Sequence, residues 1–178
     1  MFDKYEYWNG VAVAMAGGKS VHVTIEMNIG SELFQQLRGK TCIPRNSSQA
    51  VKLSGSRGYV FPDVTVVSGK PEFVTKRGID CLLNPTVIIE VLSPSTAAFD
   101  ETQKLLAFTA LPTVRQYLVV ASDHYAAKLY FRSSPEQTWS VNLYDNLTDT
   151  IHFDSCDCKL TLAEIYTGVD LPPFNGFN

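Results

Sequence analysis

The chain has 178 residues and a mass of 19.7 kDa, the usual size of one domain, and we predict a single domain over residues 1–178. Hydrophobic residues make up 45% and charged residues 19% of the sequence, which excludes a disordered chain. The formal net charge of -3 argues against a protein that coats nucleic acid without preference, but not against an enzyme that acts on it.

The first half of the chain predicts short strands around one long helix. Residues 10–16 (GVAVAMA) are apolar and β-rich, which predicts a first strand. From Ser20 to Leu37 apolar residues recur every four positions, which predicts a helix that Ser20 caps and Gly39 ends. Strands are then predicted at CIPRN, AVKLS and YVFPDVTVV. Pro62 inside the last of these indicates a sheet edge or a bulge.

The second half predicts a central strand, a helix and several hairpin strands. The segment NPTVIIEVLSPS is apolar on both faces except at Glu90, which indicates a strand with layers on both sides. A helix is predicted from Ser95 to Ala110, and a final helical turn capped at Thr161. Further strands are predicted at RQYLVVAS, AAKLYFR, TWSVNLY and TIHF. We expect an α/β fold in which residues 171–178 form a loose tail.

Three polar residues in these elements point to phosphodiester chemistry. Asp63 and Glu90 are carboxylates in strand segments, and Lys104 lies in the helix that follows. Two carboxylates can hold Mg²⁺, which lowers the pKa of a bound water, while a lysine orients that water or offsets charge on phosphorus. An unpaired carboxylate in a central strand is costly to bury, so Glu90 in particular requires a partner or a metal ion.

The chain resembles the Uma-two family of predicted restriction endonucleases, within the PD-(D/E)XK nuclease superfamily. The resemblance covers nearly the whole chain and rests on Glu6-Tyr7 before Gly10, on His22, Ile25, Asn28 and Leu33, on Pro62-Asp63, on EVLSPST, on Asp100, Lys104 and Tyr117, and on LAEIYTGV. It implies a restriction-endonuclease-like mixed β-sheet flanked by helices, a metal site on Asp63 and Glu90, and activity on DNA.

The chain departs from the superfamily pattern at the lysine. That lysine usually lies two residues after the second acid, but this position is Leu92, which cannot carry charge. The resemblance therefore assigns the role to Lys104 in the following helix. The family's aromatic position four residues later, commonly tyrosine, is Phe108.

The resemblance adds Glu6 and His22 as further catalytic candidates. Glu6 matches the acid that the superfamily supplies from its first helix, and the alternative is a solvated position at the end of a truncated helix. His22 lies about 100° beyond the apolar Val21 on the predicted helix, so we expect it to face the acidic end of the sheet, and the alternative is a surface histidine. Glu26 is four residues from His22, a spacing at which two side chains can share a ligand, but it has no counterpart in the family.

The other candidates have structural alternatives as well. Asp63 suits a turn after proline, Glu90 suits a structural ion pair, and Lys104 suits a pair with Asp100 on a solvated helix face. Half of a zinc site is offered by His152, Cys156 and Cys158, which lack a second pair of ligands.

The sequence thus predicts an endonuclease that hydrolyses DNA with Mg²⁺, or alternatively Mn²⁺, bound to Asp63 and Glu90. The alternatives are a catalytically silent nucleic-acid-binding or scaffold protein of the same fold, and a hydrolase of smaller phosphoesters. Two-fold duplex DNA favours a homodimer. Four cysteines without CxxC spacing and an amino terminus without an apolar signal segment favour reduced thiols in the cytoplasm. No apolar stretch approaches the ~20 residues of a membrane span.

Overall fold

The computed structural model describes residues 5–15, 18–55, 58–76, 78–94 and 97–174. A mixed six-stranded sheet lies at its centre, with the spatial order β12-β11-β10-β9-β6-β3. Its strands are β3 (Cys42–Asn46), β6 (Val64–Ser68), β9 (Val87–Leu92), β10 (Gln116–Ala121), β11 (Ala127–Phe131) and β12 (Ser140–Tyr144). Strands β9 and β10 are parallel and the other neighbours are antiparallel, so the predicted mixed α/β fold is confirmed.

One face of this sheet is covered by α1 (Ser20–Leu37), α4 (Leu162–Ile165) and the hairpin of β13 (Thr150–Phe153) and β14 (Cys158–Thr161). The four-residue apolar repeat of α1 is buried there at Ile25, Ile29, Leu33 and Leu37. The predicted helix is therefore confirmed, but its predicted cap is wrong. The N-cap is Lys19, one residue before the predicted cap, because the Val23 amide donates to the Lys19 carbonyl, and Ser20 is the first residue of the helix.

The other face is covered by a second sheet and a helical segment. The second sheet has the order β2-β1-β5-β4-β8-β7. Its strands are β1 (Tyr5–Trp8), β2 (Val11–Ala14), β4 (Ala50–Lys52), β5 (Gly58–Val60), β7 (Phe73–Lys76) and β8 (Ile79–Leu82). The helix predicted from Ser95 to Ala110 is instead three pieces, α2 (Ala97–Phe99), a π-helical turn (Asp100–Lys104) and α3 (Leu105–Thr109), while residues 95–96 lie outside the described ranges.

The predicted strand YVFPDVTVV is two strands that belong to different sheets. Residues 61–63 separate β5 from β6, since proline has no amide hydrogen for a ladder and its fixed φ interrupts the strand. Pro62 thus marks the passage from the second sheet to the central sheet, rather than an edge or a bulge. Gly58, with φ of 106°, allows β5 to approach β1, because a Cβ there would lie 1.8 Å from the Tyr7 carbonyl oxygen.

The carboxyl-terminal region closes the fold. The predicted cap at Thr161 is confirmed, since its hydroxyl accepts from the Glu164 amide and the Glu164 carboxylate accepts from the Thr161 amide. The expectation of a loose tail fails for residues 171–174, because the Leu171 amide donates to the Tyr125 hydroxyl and Tyr125 bridges to Pro173. Residues 175–178 lie outside the described ranges. Within those ranges, no helix combines the length and apolarity of a bilayer crossing.

Candidate active site

A cavity of about 410 Å³ lies where the helical segment and β1 meet the carboxyl end of β9. It brings together all five residues that the sequence singled out, and a sixth, Asp100, joins them. The charged or titratable residues that line it include Glu6, His22, Asp63, Glu90, Asp100 and Lys104. The sequence-based candidates therefore converge in space.

Asp63 and Glu90 are neighbours across two paired strands. Strand β6 runs antiparallel to β9 with Val64 opposite Ile89, so Asp63, one residue before Val64, lies beside Glu90, one residue after Ile89. The Asp63 side chain is fixed by the Val91 amide, which donates to its Oδ2 at 2.7 Å. Both side chains line the same cavity, so the turn-residue alternative for Asp63 does not describe its surroundings.

Lys104 reaches back from the helical segment to the sheet. Its Nζ lies 3.0 Å from Glu90 Oε1, 3.2 Å from Asp100 Oδ1 and 3.6 Å from Glu6 Oε1. The alternative pair with Asp100 exists, but it is not on a solvated face, since the Lys104 side chain is only 9% exposed. The ammonium therefore stands among three carboxylates.

The charges of this cluster perturb one another. Burial disfavours the charged form of Lys104, but Glu90, Glu6 and Asp100 together outweigh it and raise the lysine pKa. Burial also raises the pKa of Glu90 well above its usual value, against the opposing effect of Lys104. Three carboxylates around one ammonium carry an excess of negative charge, which a divalent cation would offset.

The π-helical turn places Asp100 and Lys104 on the same buried side. The Asp100 carbonyl accepts from the Leu105 amide, five residues on, and also from the buried Tyr117 hydroxyl at 3.1 Å. This second bond gives Tyr117, one of the residues on which the resemblance rests, a structural role beside the site. π-helical turns are frequent at functional sites.

Glu6 reaches the site from a strand, which corrects the expectation of a solvated residue at the end of a truncated helix. It lies on β1, is 7% exposed, and its Oε1 accepts from the Phe61 amide at 2.9 Å. The aromatic residues of the YEYW segment favour the extended conformation, and pairing with β5 stabilises it. Glu6 therefore links the second sheet to Lys104.

His22 faces the cavity as its helical position predicts. Its Nε2 lies 3.2 Å from Asp63 Oδ1, and this hydrogen bond raises the histidine pKa while burial opposes the shift. One turn later Glu26 completes a group with His22 and Asp63 in which one ligand atom from each residue lies within 4.8 Å of the others. The sequence did contain a signal for Glu26, namely its spacing of four from His22.

The donor set fits a divalent cation. Carboxylate oxygens are the ligands that Mg²⁺ and Mn²⁺ prefer, and the imidazole of His22 suits Mn²⁺ better than Mg²⁺. The three residues of the predicted half zinc site do not form such a group. His152 is exposed on β13, whereas Cys156 and Cys158 are buried, and the metal-ligand group found within the described ranges contains none of the three.

Comparisons with known proteins concern the family and the fold. The model of the family Uma2, described as "Putative restriction endonuclease", matches residues 3–163. Two uncharacterized proteins of Synechocystis sp. (strain ATCC 27184 / PCC 6803 / Kazusa) are similar in sequence. The first, slr1290, is 27% identical over 94% of this chain and 85% of its own length, and the second, sll1609, is 27% identical over 76% of each.

A solved structure shares the fold. It is a crystal structure from Anabaena variabilis ATCC 29413, described as "a putative nuclease belonging to DUF820". It superposes with a TM-score of 0.72 at 15% sequence identity, over 92% of this chain and 89% of the other. At that identity the likeness concerns the fold.

Proposed function

Because the chain belongs to the Uma2 family, we propose that it is a metal-dependent endonuclease that hydrolyses phosphodiester bonds in DNA. One observation carries the proposal: two carboxylates from paired strands, Asp63 and Glu90, share a cavity with an ammonium 3.0 Å from one of them. The family description supports the nuclease class, and the term restriction endonuclease supports DNA as the substrate.

Asp63 and Glu90 would hold the cation, with His22 and Glu26 on the far side of Asp63. When bound, a divalent cation acidifies a water molecule and offsets charge on the phosphoryl oxygens. Mg²⁺ suits the carboxylate pair, and Mn²⁺ suits a set that includes the imidazole. The hydrogen bond from the Val91 amide fixes the Asp63 carboxylate, which supports Asp63 as a preorganised ligand.

Lys104 would position the attacking water and offset charge on phosphorus. Its raised pKa keeps it an ammonium, the form that can donate to an anionic transition state. Asp100 and Glu6 hold that ammonium from two sides, at 3.2 and 3.6 Å. These two acids therefore act as positioning residues for Lys104 in the proposed mechanism.

The remaining parts of the proposal concern assembly and location. Cleavage of both strands of a duplex favours a homodimer, because two-fold DNA presents two equivalent phosphates. The four cysteines are free thiols, as expected for a protein of the cytoplasm. Sedimentation equilibrium would test whether the protein is a homodimer.

The deciding experiment is nicking of supercoiled plasmid with Mg²⁺ or Mn²⁺. We expect cleavage by the wild type and none by Asp63→Asn. Lys104→Arg should retain little cleavage, since a planar guanidinium cannot replace a compact ammonium. The matched controls are Asp157→Asn and Lys40→Ala, which change an exposed ion pair whose residues do not line the site cavity. Calorimetric titration with Mn²⁺ should lose its signal in Asp63→Asn.

Two results would refute the proposal. A wild type that folds and binds Mn²⁺ but cleaves no DNA would favour the catalytically silent alternative. Cleavage of small phosphodiesters without cleavage of DNA would favour the hydrolase of smaller phosphoesters.

A further inference from the structure

A second cavity, of about 430 Å³, adjoins the candidate active site. Ser93 lines both cavities, and on β10 the residue Ala121 lines the second cavity while the next residue, Ser122, lines the first. The two cavities therefore lie side by side at the carboxyl ends of β9 and β10. Because they share a lining residue, one nucleotide strand could contact both cavities.

The walls of this second cavity are mainly apolar. They include Val119, Ala121, Ala127 and Leu143 from the central sheet. Its rim carries aromatic rings: Tyr144, and Phe174 stacked on His124 with ring centroids 5.0 Å apart. Apolar space bordered by rings favours a planar heteroaromatic ligand over a phosphate.

The charges at the rim are largely paired. Lys128 Nζ lies 2.6 Å from Glu101 Oε1, and His124 Nδ1 lies 2.6 Å from Asp123 Oδ1. Neither pair leaves a strong positive field for a phosphate group. The carboxylates of Asp123 and Asp145 can accept hydrogen bonds from the amino groups of cytosine, adenine or guanine.

We propose that this second cavity accepts one unstacked nucleobase of the DNA strand whose phosphate lies at Asp63, Glu90 and Lys104. The inference rests on the proposed function and specifies its substrate class. DNA with an unpaired or extruded nucleotide next to the cleaved phosphate would bind in preference to a fully stacked duplex, because extruding a paired base costs a few kcal/mol.

The test uses a single-stranded oligonucleotide with one 2-aminopurine, a base whose fluorescence reports stacking. It is titrated with the wild type in EDTA, so that no cleavage occurs. We expect a saturable fluorescence change with the oligonucleotide and a much weaker one with the same base in a perfect duplex. Free 2-aminopurine deoxyriboside monophosphate is a third arm, which separates a base in a strand from a free nucleotide.

Two variants remove parts of the wall, and one serves as a control. Leu143→Ala and Phe174→Ala should each weaken oligonucleotide binding by roughly five-fold or more, given about 1–3 kcal/mol per stacked base. Val141→Ala is the matched control, because Val141 lies on β12 with Leu143 and is 51% exposed against 59%, but does not line the cavity. Circular dichroism checks that the variants are folded.

The outcomes separate the two proposals. The nucleobase site is overturned if the wild type gives no fluorescence change. It is also overturned if Leu143→Ala and Phe174→Ala bind the oligonucleotide as tightly as Val141→Ala does. Either result holds even if the plasmid is cleaved. Tighter binding of the free monophosphate than of the oligonucleotide also overturns it, in favour of a small-nucleotide site. Failure of plasmid cleavage by the wild type overturns the endonuclease proposal, and the fluorescence titration in EDTA does not depend on cleavage.

Discussion

The two faces of β9 differ in polarity: one is wholly apolar and the other carries a buried carboxylate. Towards α1 it presents Val87, Ile89 and Val91, which belong to a wholly apolar core. Towards the helical segment it presents Ile88 and then Glu90, a buried carboxylate that needs Lys104 beside it. The apolar face stabilises the fold, while the charged face carries a desolvation cost that a hydrophobic pair would avoid. Buried charge of this kind is expected where function requires it.

Lys104→Ala should have the largest effect of any single change in the charged region. It leaves three buried carboxylates without their cation, which should cost about 3–5 kcal/mol of the free energy of unfolding, and it should also abolish cleavage. Urea denaturation at pH 7.5 measures the first effect and plasmid nicking the second. Lys40→Ala, in an exposed pair, should change neither. A stable, inactive Lys104→Ala would show that the cluster is less desolvated than its contacts indicate.

Ile89→Ala tests the apolar face one residue away from Glu90. Ile89 is fully buried, so the cavity left by its side chain should cost about 2–5 kcal/mol of the free energy of unfolding. The fraction that remains folded should still cleave DNA, because the site residues are unchanged. A large drop in activity per folded molecule would show that the two faces are not independent.

Glu90→Gln should separate activity from stability. Removing a metal ligand should reduce cleavage by at least about 10²-fold, comparable to loss of one transition-state contact. Stability should rise at pH 8, because a carboxyl whose folded pKa is raised lowers the stability of the folded state as pH rises from its usual pKa towards the folded pKa. The gain should vanish below pH 4, where Glu90 is protonated in both states. Denaturation at the two pH values provides the check, and a loss of stability at pH 8 would contradict the prediction.

Thr161→Ala should weaken only the apolar side. The capping box at the start of α4 satisfies two amides, and its loss should cost about 0.5–2 kcal/mol. Cleavage should be unchanged, because α4 packs against the face opposite to Glu90. Thermal denaturation and the nicking assay together report both quantities.

His22→Gln should have a small effect on the free energy of unfolding, but this effect should depend on pH. The folded pKa of His22 is raised by Asp63, so the pair stabilises the wild type fully below about pH 6.5, the usual histidine value, and this contribution is lost as pH rises through the folded pKa. The difference between wild type and variant should therefore be larger at pH 5.5 than at pH 8.5. Equal differences at both values would indicate that the hydrogen bond does not favour the imidazolium.

The sequence was most informative where one periodicity extends over a whole element. The helix from Ser20 to Leu37 and the strand around Glu90 were predicted because their apolar residues repeat with the period of the element. β7 and β8 were missed, since FVTK and IDCL are short and show no clear alternation. The passage between the two sheets at Pro62 was not predicted, because sheet membership depends on tertiary pairing rather than on local preference.

The sequence predicted the residues of the site but not the elements and contacts that bring them together. The residue pattern indicated Asp63, Glu90 and Lys104, and the family resemblance added Glu6 and His22. All five line one cavity in the structure. The resemblance placed Glu6 on a helix, whereas its position depends on pairing of β1 with β5, 50 residues away in the chain and dependent on the close contact at Gly58. Asp100 was undervalued because a π-helical turn has no signature in a 3.6-residue pattern.

The π-helical turn also bears on how the charged cluster responds to chain length. Such a turn contains one residue more than the α-helical path it replaces, so deletion of Glu101 would allow a continuous α-helix from α2 to α3. Asp100 and Lys104 would then be three residues apart, a spacing that keeps two side chains on one helix face. The deletion would remove the ion pair of Glu101 with Lys128, which lies outside the cluster around Lys104. Chains with and without the extra residue can thus share the same buried group of charges.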